Sequence, residues 1–190
     1  MRKVIWFNMI TLDGYFEGPG REISWQKVDK EFNDFAIEEL SSVDALLFGR
    51  VTYTLLADYW PTAEALKNAP AIAEIMNCTP KIVFSRTLLA ADWNNTRIIK
   101  ENAVEALQDL KQQPGKDLMM FESAALATTF IQHGLIDEFR ILLNPVVIGR
   151  GHPLFKAIHH KLTFTLLDTK AFKSGNVLLC YKPVKKDIEE

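Results

Sequence analysis

The sequence predicts an α/β fold, a mostly parallel central sheet with flanking helices and antiparallel strands at its C-terminal end. Three observations lead there. Up to Asp137, short apolar runs alternate with stretches of helical periodicity, the pattern of parallel strands joined by helices. Beyond Asp137 the apolar runs follow one another with no helical stretch between them, as antiparallel strands do. The chain has 190 residues, 48% apolar and 24% charged, which suits a packed core rather than disorder. No Pro/Gly/Ser-rich linker divides it, so a single domain over residues 1–190 is expected.

The elements follow in order. Residues 3–10 form a first buried strand. Val28, Phe32, Phe35, Ala36 and Leu40 recur at helical spacing and predict a helix over 28–40. Residues 45–48 are a short apolar strand closed by Gly49, and 52–59 begin a second helix, which Pro61 ends. A third helical stretch spans 63–76. A strand over 81–85 follows Pro80. Val104, Leu107 and Leu110 give a helix stopped by Pro114-Gly115. Asp117–Phe121 is a strand, and Ala124–Gln132 is a helix with Ser123 as N-cap and Gly134 as its stop. Strands are expected over 138–148, 162–167 and 177–182, the last entered through the turn Ser174-Gly175-Asn176.

Several function classes are excluded. With 22 basic and 24 acidic residues the formal net charge is −2, which argues against a nucleic-acid coat. No run of 18 apolar residues exists, so no membrane partner is expected. Arg2 and Lys3 precede the apolar run Val4 to Phe7 as in a secretory signal, but Asn8 interrupts it and no small-residue cleavage site follows. Cys78 and Cys180 form no CxxC pattern, which points to a reducing, cytoplasmic setting. The sequons at Asn77 and Asn94 are then coincidental. The Walker phosphate loop, GxGxxG, HExxH, GxSxG and the zinc-deaminase pair are all missing. The four histidines lack metal-ligand spacing, so no metal site is expected.

Other segments carry candidate chemistry. Gly49 closes a strand, and Arg50 to Thr52 open a helix. Free backbone N–H groups and the positive dipole end suit a phosphate there, with Gly49 permitting close approach. Arg50 can fork onto that phosphate, and Thr52 can cap the helix or bond a pyrophosphate. Ser85-Arg86 ends another strand and fits a nucleotide 2′-phosphate. Thr11-Leu12-Asp13-Gly14 leaves the first strand, where Asp13 either orients a substrate amine or holds the loop in an Asp-Gly turn. Phe35 and Trp25 are candidate walls for a planar ring.

These segments, with Leu47 to Tyr53, Val83 to Thr87, Gly134 to Glu138 and Pro145 to Gly151, resemble the dihydrofolate-reductase-like superfamily. Within it they look most like the stand-alone relatives of the reductase domain of the bacterial riboflavin-biosynthesis deaminase-reductase. The resemblance runs from Val4 to Tyr181 and implies the three-layer fold of that superfamily. It implies an NADPH-dependent reductase delivering hydride to a C=N or C=O bond of a small heterocyclic or sugar-amine substrate. Gly49, Arg50, Thr52, Ser85 and Arg86 would hold the cofactor, the two arginines favouring NADPH over NADH. Asp13 would be the catalytic residue, beside Thr11, on the loop between nicotinamide and substrate. Asp34 would be the carboxylate of the first helix that serves the substrate, although Phe32 and Phe35 turn the other way. The resemblance also implies a homodimer.

One departure stands out. The relatives carry Gly-Gly or Gly-Ser after the strand equivalent to Asp117–Phe121, where this chain has Glu122-Ser123. Glutamate adopts φ > 0 only at a cost, and its carboxylate would stand at a helix N-terminus otherwise offered to phosphate. Three readings stay open. Glu122 points away from the cofactor, bonds ribose hydroxyls, or fills the phosphate site. The last would make the protein a non-catalytic small-molecule-binding or regulatory dimer.

Overall fold

A computed structural model describes residues 1–184. Its elements run β1 (Val4–Thr11), β2 (Tyr15–Glu17), α1 (Lys30–Ser41), β3 (Val43–Gly49), α2 (Arg50–Tyr59), α3 (Ala63–Asn68), α4 (Pro70–Cys78) and β4 (Lys81–Phe84). There follow β5 (Thr96–Ile99), α5 (Ala103–Gln112), β6 (Asp117–Phe121), α6 (Ala124–Gln132), β7 (Glu138–Asn144), β8 (His152–Pro153), β9 (Phe164–Ala171) and β10 (Val177–Pro183).

Eight strands form one sheet in the order β5-β4-β3-β6-β1-β7-β10-β9. Every pair from β5 to β7 is parallel, and β10 pairs antiparallel with both β7 and β9. The sheet is therefore mostly parallel with antiparallel C-terminal strands, as its sequence pattern predicts.

Side chains alternate across the strands, so each parallel strand feeds both faces. From β1, Ile5, Phe7 and Met9 pack with Phe35 and Leu40 of α1, Tyr53 of α2, and Ile72 and Met76 of α4. Val4 and Trp6 pack on the other face with Leu107 and Leu110 of α5 and with Ala127 and Phe130 of α6. This double burial makes β1, β3 and β4 near-continuous apolar runs. Each such large side chain contributes roughly 1.5–3 kcal/mol when fully buried.

Three elements differ from the sequence expectation. The helical stretch over 63–76 is two helices, because Ala69 leaves helical geometry (φ −145°, ψ 65°) and Pro70 starts α4. The strand expected over 138–148 ends at Asn144, where Pro145 has no N–H for the ladder. The strand expected over 162–167 lies at Phe164–Ala171. Sequence reasoning missed β5 and the two-stranded sheet of β2 and β8. That small sheet needs Gly151, since a Cβ there would stand 2.4 Å from the Glu17 carbonyl oxygen.

Lys81 is a buried cation at the start of β4, 1% exposed. Its ammonium donates to the carbonyls of Met76 (2.8 Å), Asn77 (3.1 Å) and Thr79 (2.7 Å), closing the C-terminal end of α4, and lies 4.5 Å over the Trp93 ring. Burial pulls this amine down to about 8.

Among the described residues, no helix is long and apolar enough to cross a membrane, and no cluster of residues could hold a metal ion.

Candidate active site

The parallel register aligns the C-terminal ends of β4, β3, β6 and β1. Gly49 pairs with Phe84, so Arg50 and Arg86 leave neighbouring strand ends. Both arginines are exposed. Neither forms an ion pair among the described residues.

Helices α2 and α6 start at this edge. Neither has a side-chain cap, and neither has an acidic residue in its first turn. By contrast, α1 is capped by Asp29 and α3 by Thr62. The N-termini of α2 and α6 are instead tied to each other. The Gly49 N–H donates to Ser123 Oγ (2.9 Å), and the Ser123 N–H donates to Thr52 Oγ1 (3.3 Å). The first-turn N–H groups that follow are left without side-chain partners, as an anion site requires.

This geometry corrects several expectations. Ser123 does not cap α6, because its φ of 50° turns the hydroxyl toward Gly49. Thr52 is buried and does not cap α2; it accepts from Ser123. Gly49 is not forced by crowding or conformation. Its φ is −80°, and a Cβ there would meet Ser123 at an ordinary 3.6 Å. The Ser85 hydroxyl accepts from the N–H groups of Thr87 (3.2 Å) and Leu88 (2.9 Å), so its lone pairs hold the turn that presents Arg86.

Glu122 occupies the glycine position with glycine-like geometry. Its φ is 45° and that of Ser123 is 50°, two successive left-handed residues. Its N–H donates to the Phe7 carbonyl (3.2 Å), and its own carbonyl accepts from the Trp6 indole (2.6 Å). Glu122 is one of the residues that line a cavity.

The cavity measures about 560 Å³ and lies between β1 and β6 on one side and α1, α2 and α4 on the other. Phe7, Met9, Phe32, Phe35, Leu56 and Ile72 make it largely apolar. Glu39 and Asn33 of α1 also reach it. Glu39 is ion-paired with Arg140, which also bonds Glu138 (2.8 Å). Burial, and secondarily the charge of Glu17, push the Glu122 carboxyl up to about 7.

The expected substrate-side residues separate. Phe35 lines the cavity, whereas Thr11, Asp13, Trp25 and Asp34 are not on its wall. Asp34 is exposed and paired with Lys30 (2.6 Å), as its place opposite Phe32 and Phe35 dictates. Trp25 packs at the edge of the core. Thr11 is buried, and its hydroxyl accepts from the Tyr15 N–H (3.0 Å). Asp13 accepts from the N–H groups of Gly149 (2.8 Å) and Ile148 (3.4 Å), the loop-holding arrangement. A bond from the Thr11 hydroxyl, more than those two N–H groups, holds its carboxyl below the usual range. Sequence reasoning missed Glu39, although Phe32, Phe35, Ala36, Glu39 and Leu40 share one helical face, and a charge on such a face is a signal.

Sheet order, flanking layers and strand-end site define a protein of the dihydrofolate-reductase-like fold. Dihydrofolate reductase from Enterococcus faecalis, complexed with NADP(H) and RAB-propyl, superposes with a TM-score of 0.59 at 12% identity, covering 96% of this chain and 97% of that one. RibD from Acinetobacter baumannii superposes with a TM-score of 0.71 at 19% identity, covering 97% of this chain and 58% of that one. The chain belongs to the RibD C-terminal domain family, whose model matches residues 2–178. It is similar to the Bacillus subtilis protein YyaP, itself uncharacterized, at 36% identity over 182 residues, covering 95% of this chain and 94% of that protein. Membership in this family supports a reductase-type function.

Proposed function

We propose that the protein is an NADPH-dependent reductase that hydrogenates a C=N or C=O bond of a small heterocyclic or sugar-amine substrate. The observation that carries this reading is the pair of uncapped, acid-free helix N-termini at α2 and α6, beside Arg50 and Arg86. A dinucleotide pyrophosphate needs such a cradle of N–H groups. Arg86, presented by the Ser85 turn, suits the 2′-phosphate, and Arg50 the phosphates nearer α2. When bound, the reduced nicotinamide supplies a hydride. The chain's part is to bind, orient and exclude water, with the substrate in the apolar cavity. The competing reading is a non-catalytic dimer on the same fold with Glu122 in the phosphate site; the place of Glu122 among the cavity-lining residues favours the reductase.

Titration with NADPH and with NADH, followed by thermal shift, tests the reading. NADPH raises Tm at lower concentration than NADH. No stabilisation by NADPH at millimolar concentration overturns it.

A homodimer is part of the same proposal. β9 is an eight-residue edge strand, exposed along nearly all its length, with Leu166 at 51% and Leu167 at 46% exposure. A long bare edge of this kind invites pairing with another chain. Light scattering at micromolar concentration should give twice the chain mass, and Leu166→Lys should return the monomer; a wild-type monomer defeats the idea.

A further inference from the structure

Two acidic residues line the cavity, and only one is ion-paired. Glu39 is held by Arg140. The Glu122 carboxyl meets no cation and no hydrogen-bond donor among the described residues. Its backbone is also held against local preference, since a side chain in the left-handed region crowds its own carbonyl. The first turn of α6 is free of acid, and Glu122 stands at the end of β6 with its backbone bonded to Phe7 of β1, at the edge the cofactor cradle shares. Aromatic walls at Phe7, Phe35 and Phe121 suit a flat ring.

We propose that Glu122 is the acid of this site, binding the nitrogen of a C=N bond in a planar N-heterocyclic substrate and protonating it as the adjacent carbon is reduced. The inference rests on the reductase reading and narrows its substrate to C=N compounds. An imine-type nitrogen is basic enough to take a proton from a carboxyl near neutrality, whereas a carbonyl oxygen is not. The balance is complete. The carbon gains the hydride with its electron pair, the nitrogen gains the Glu122 proton, Glu122 is left as carboxylate, and the nicotinamide is left oxidised. The carboxylate then recovers a proton from solvent.

The groups around Glu122 fit this role. Glu17 of β2 disfavours its ionisation, and behind Glu17 the His152 Nδ1 of β8 stands 3.0 Å away. Glu39 faces the cavity from α1 with its charge taken by Arg140 of β7. The raised position of the Glu122 carboxyl, about 7, keeps an acid form present at neutral pH.

The test uses 2-aminopyridine as a probe, because its ring nitrogen and amine match the two carboxyl oxygens. Its binding is measured by calorimetry between pH 5.5 and 8.5 on wild type, Glu122→Gln and Glu122→Gly. NADPH binding is measured on the same three proteins. Glycine suits the left-handed turn, so the second variant keeps the fold if glutamine disturbs it. The expected result is a probe affinity at least tenfold weaker in both variants, loss of its pH dependence, and NADPH affinity within a factor of about three of wild type. Equal probe binding in all three proteins overturns the inference while NADPH binding leaves the reductase reading standing. Failure of NADPH to bind wild type overturns the reductase reading and, with it, the proton transfer, even where probe binding still depends on Glu122.

Discussion

Arg86→Ala will weaken NADPH binding about 10- to 100-fold and leave NADH binding within about twofold, because a charge-assisted bond to phosphate is worth roughly 1.5–3 kcal/mol and each 1.4 kcal/mol is a factor of ten. The two cofactors differ only in the 2′-phosphate, so their ratio isolates that contact. Arg86 is exposed on a turn that Ser85 pins by two hydrogen bonds, and its loss disturbs no packing. On the proposed reading, Arg50, on the neighbouring strand end, would serve a phosphate common to both cofactors, so Arg50→Ala should weaken both together. Fluorescence titration of each variant with each cofactor gives the four constants needed. Equal loss of NADPH and NADH in Arg86→Ala would place the 2′-phosphate elsewhere.

Lys81→Ala will destabilise the fold by about 3–5 kcal/mol, the range for breaking a buried charged network. The ammonium serves three carbonyls at the negative end of α4, and its removal orphans all of them beside the space its stem filled. For a chain of this size the loss corresponds to a Tm lower by roughly 10 °C. Calorimetry measures it directly, and a change below about 1 kcal/mol would mean that water replaces the amine without cost. The pH dependence has a definite sign. The folded amine titrates near 8, below the 10.5 of a free lysine, so between these values the folded chain holds fewer protons than the unfolded one. This group therefore adds stability as pH rises through that window, and Lys81→Ala should remove that rise.

Most of the sheet and helices were legible because burial on two faces writes itself into the sequence as apolar runs and helical spacing. The exceptions have physical causes. β2 and β8 are two or three residues each and exist only because Gly151 lets them meet. α3 and α4 look continuous by periodicity, and only the backbone restriction ahead of Pro70 divides them.

For the site, the sequence located the chain segments but not the direction of their side chains. The solvent-facing placement of Asp34 was legible from Phe32 and Phe35. The apolar cavity was not, since Leu56, Ile72 and Phe121 come from separate elements that meet only in the tertiary structure. The Glu122 position was conspicuous as a glycine replaced. Where its carboxyl goes depends on two successive left-handed residues, which no local pattern announces.

The cross-link between α2 and α6 has a consequence for how a ligand is received. Because Ser123 Oγ and Thr52 Oγ1 tie the two helix ends to each other, the N–H cradle is assembled by folding itself. A phosphate arriving there meets preorganised donors, so little conformational entropy is lost on association. Two hydroxyl groups, one at the N-cap position of α6 and one on the third residue of α2, thus keep the cradle both open and rigid.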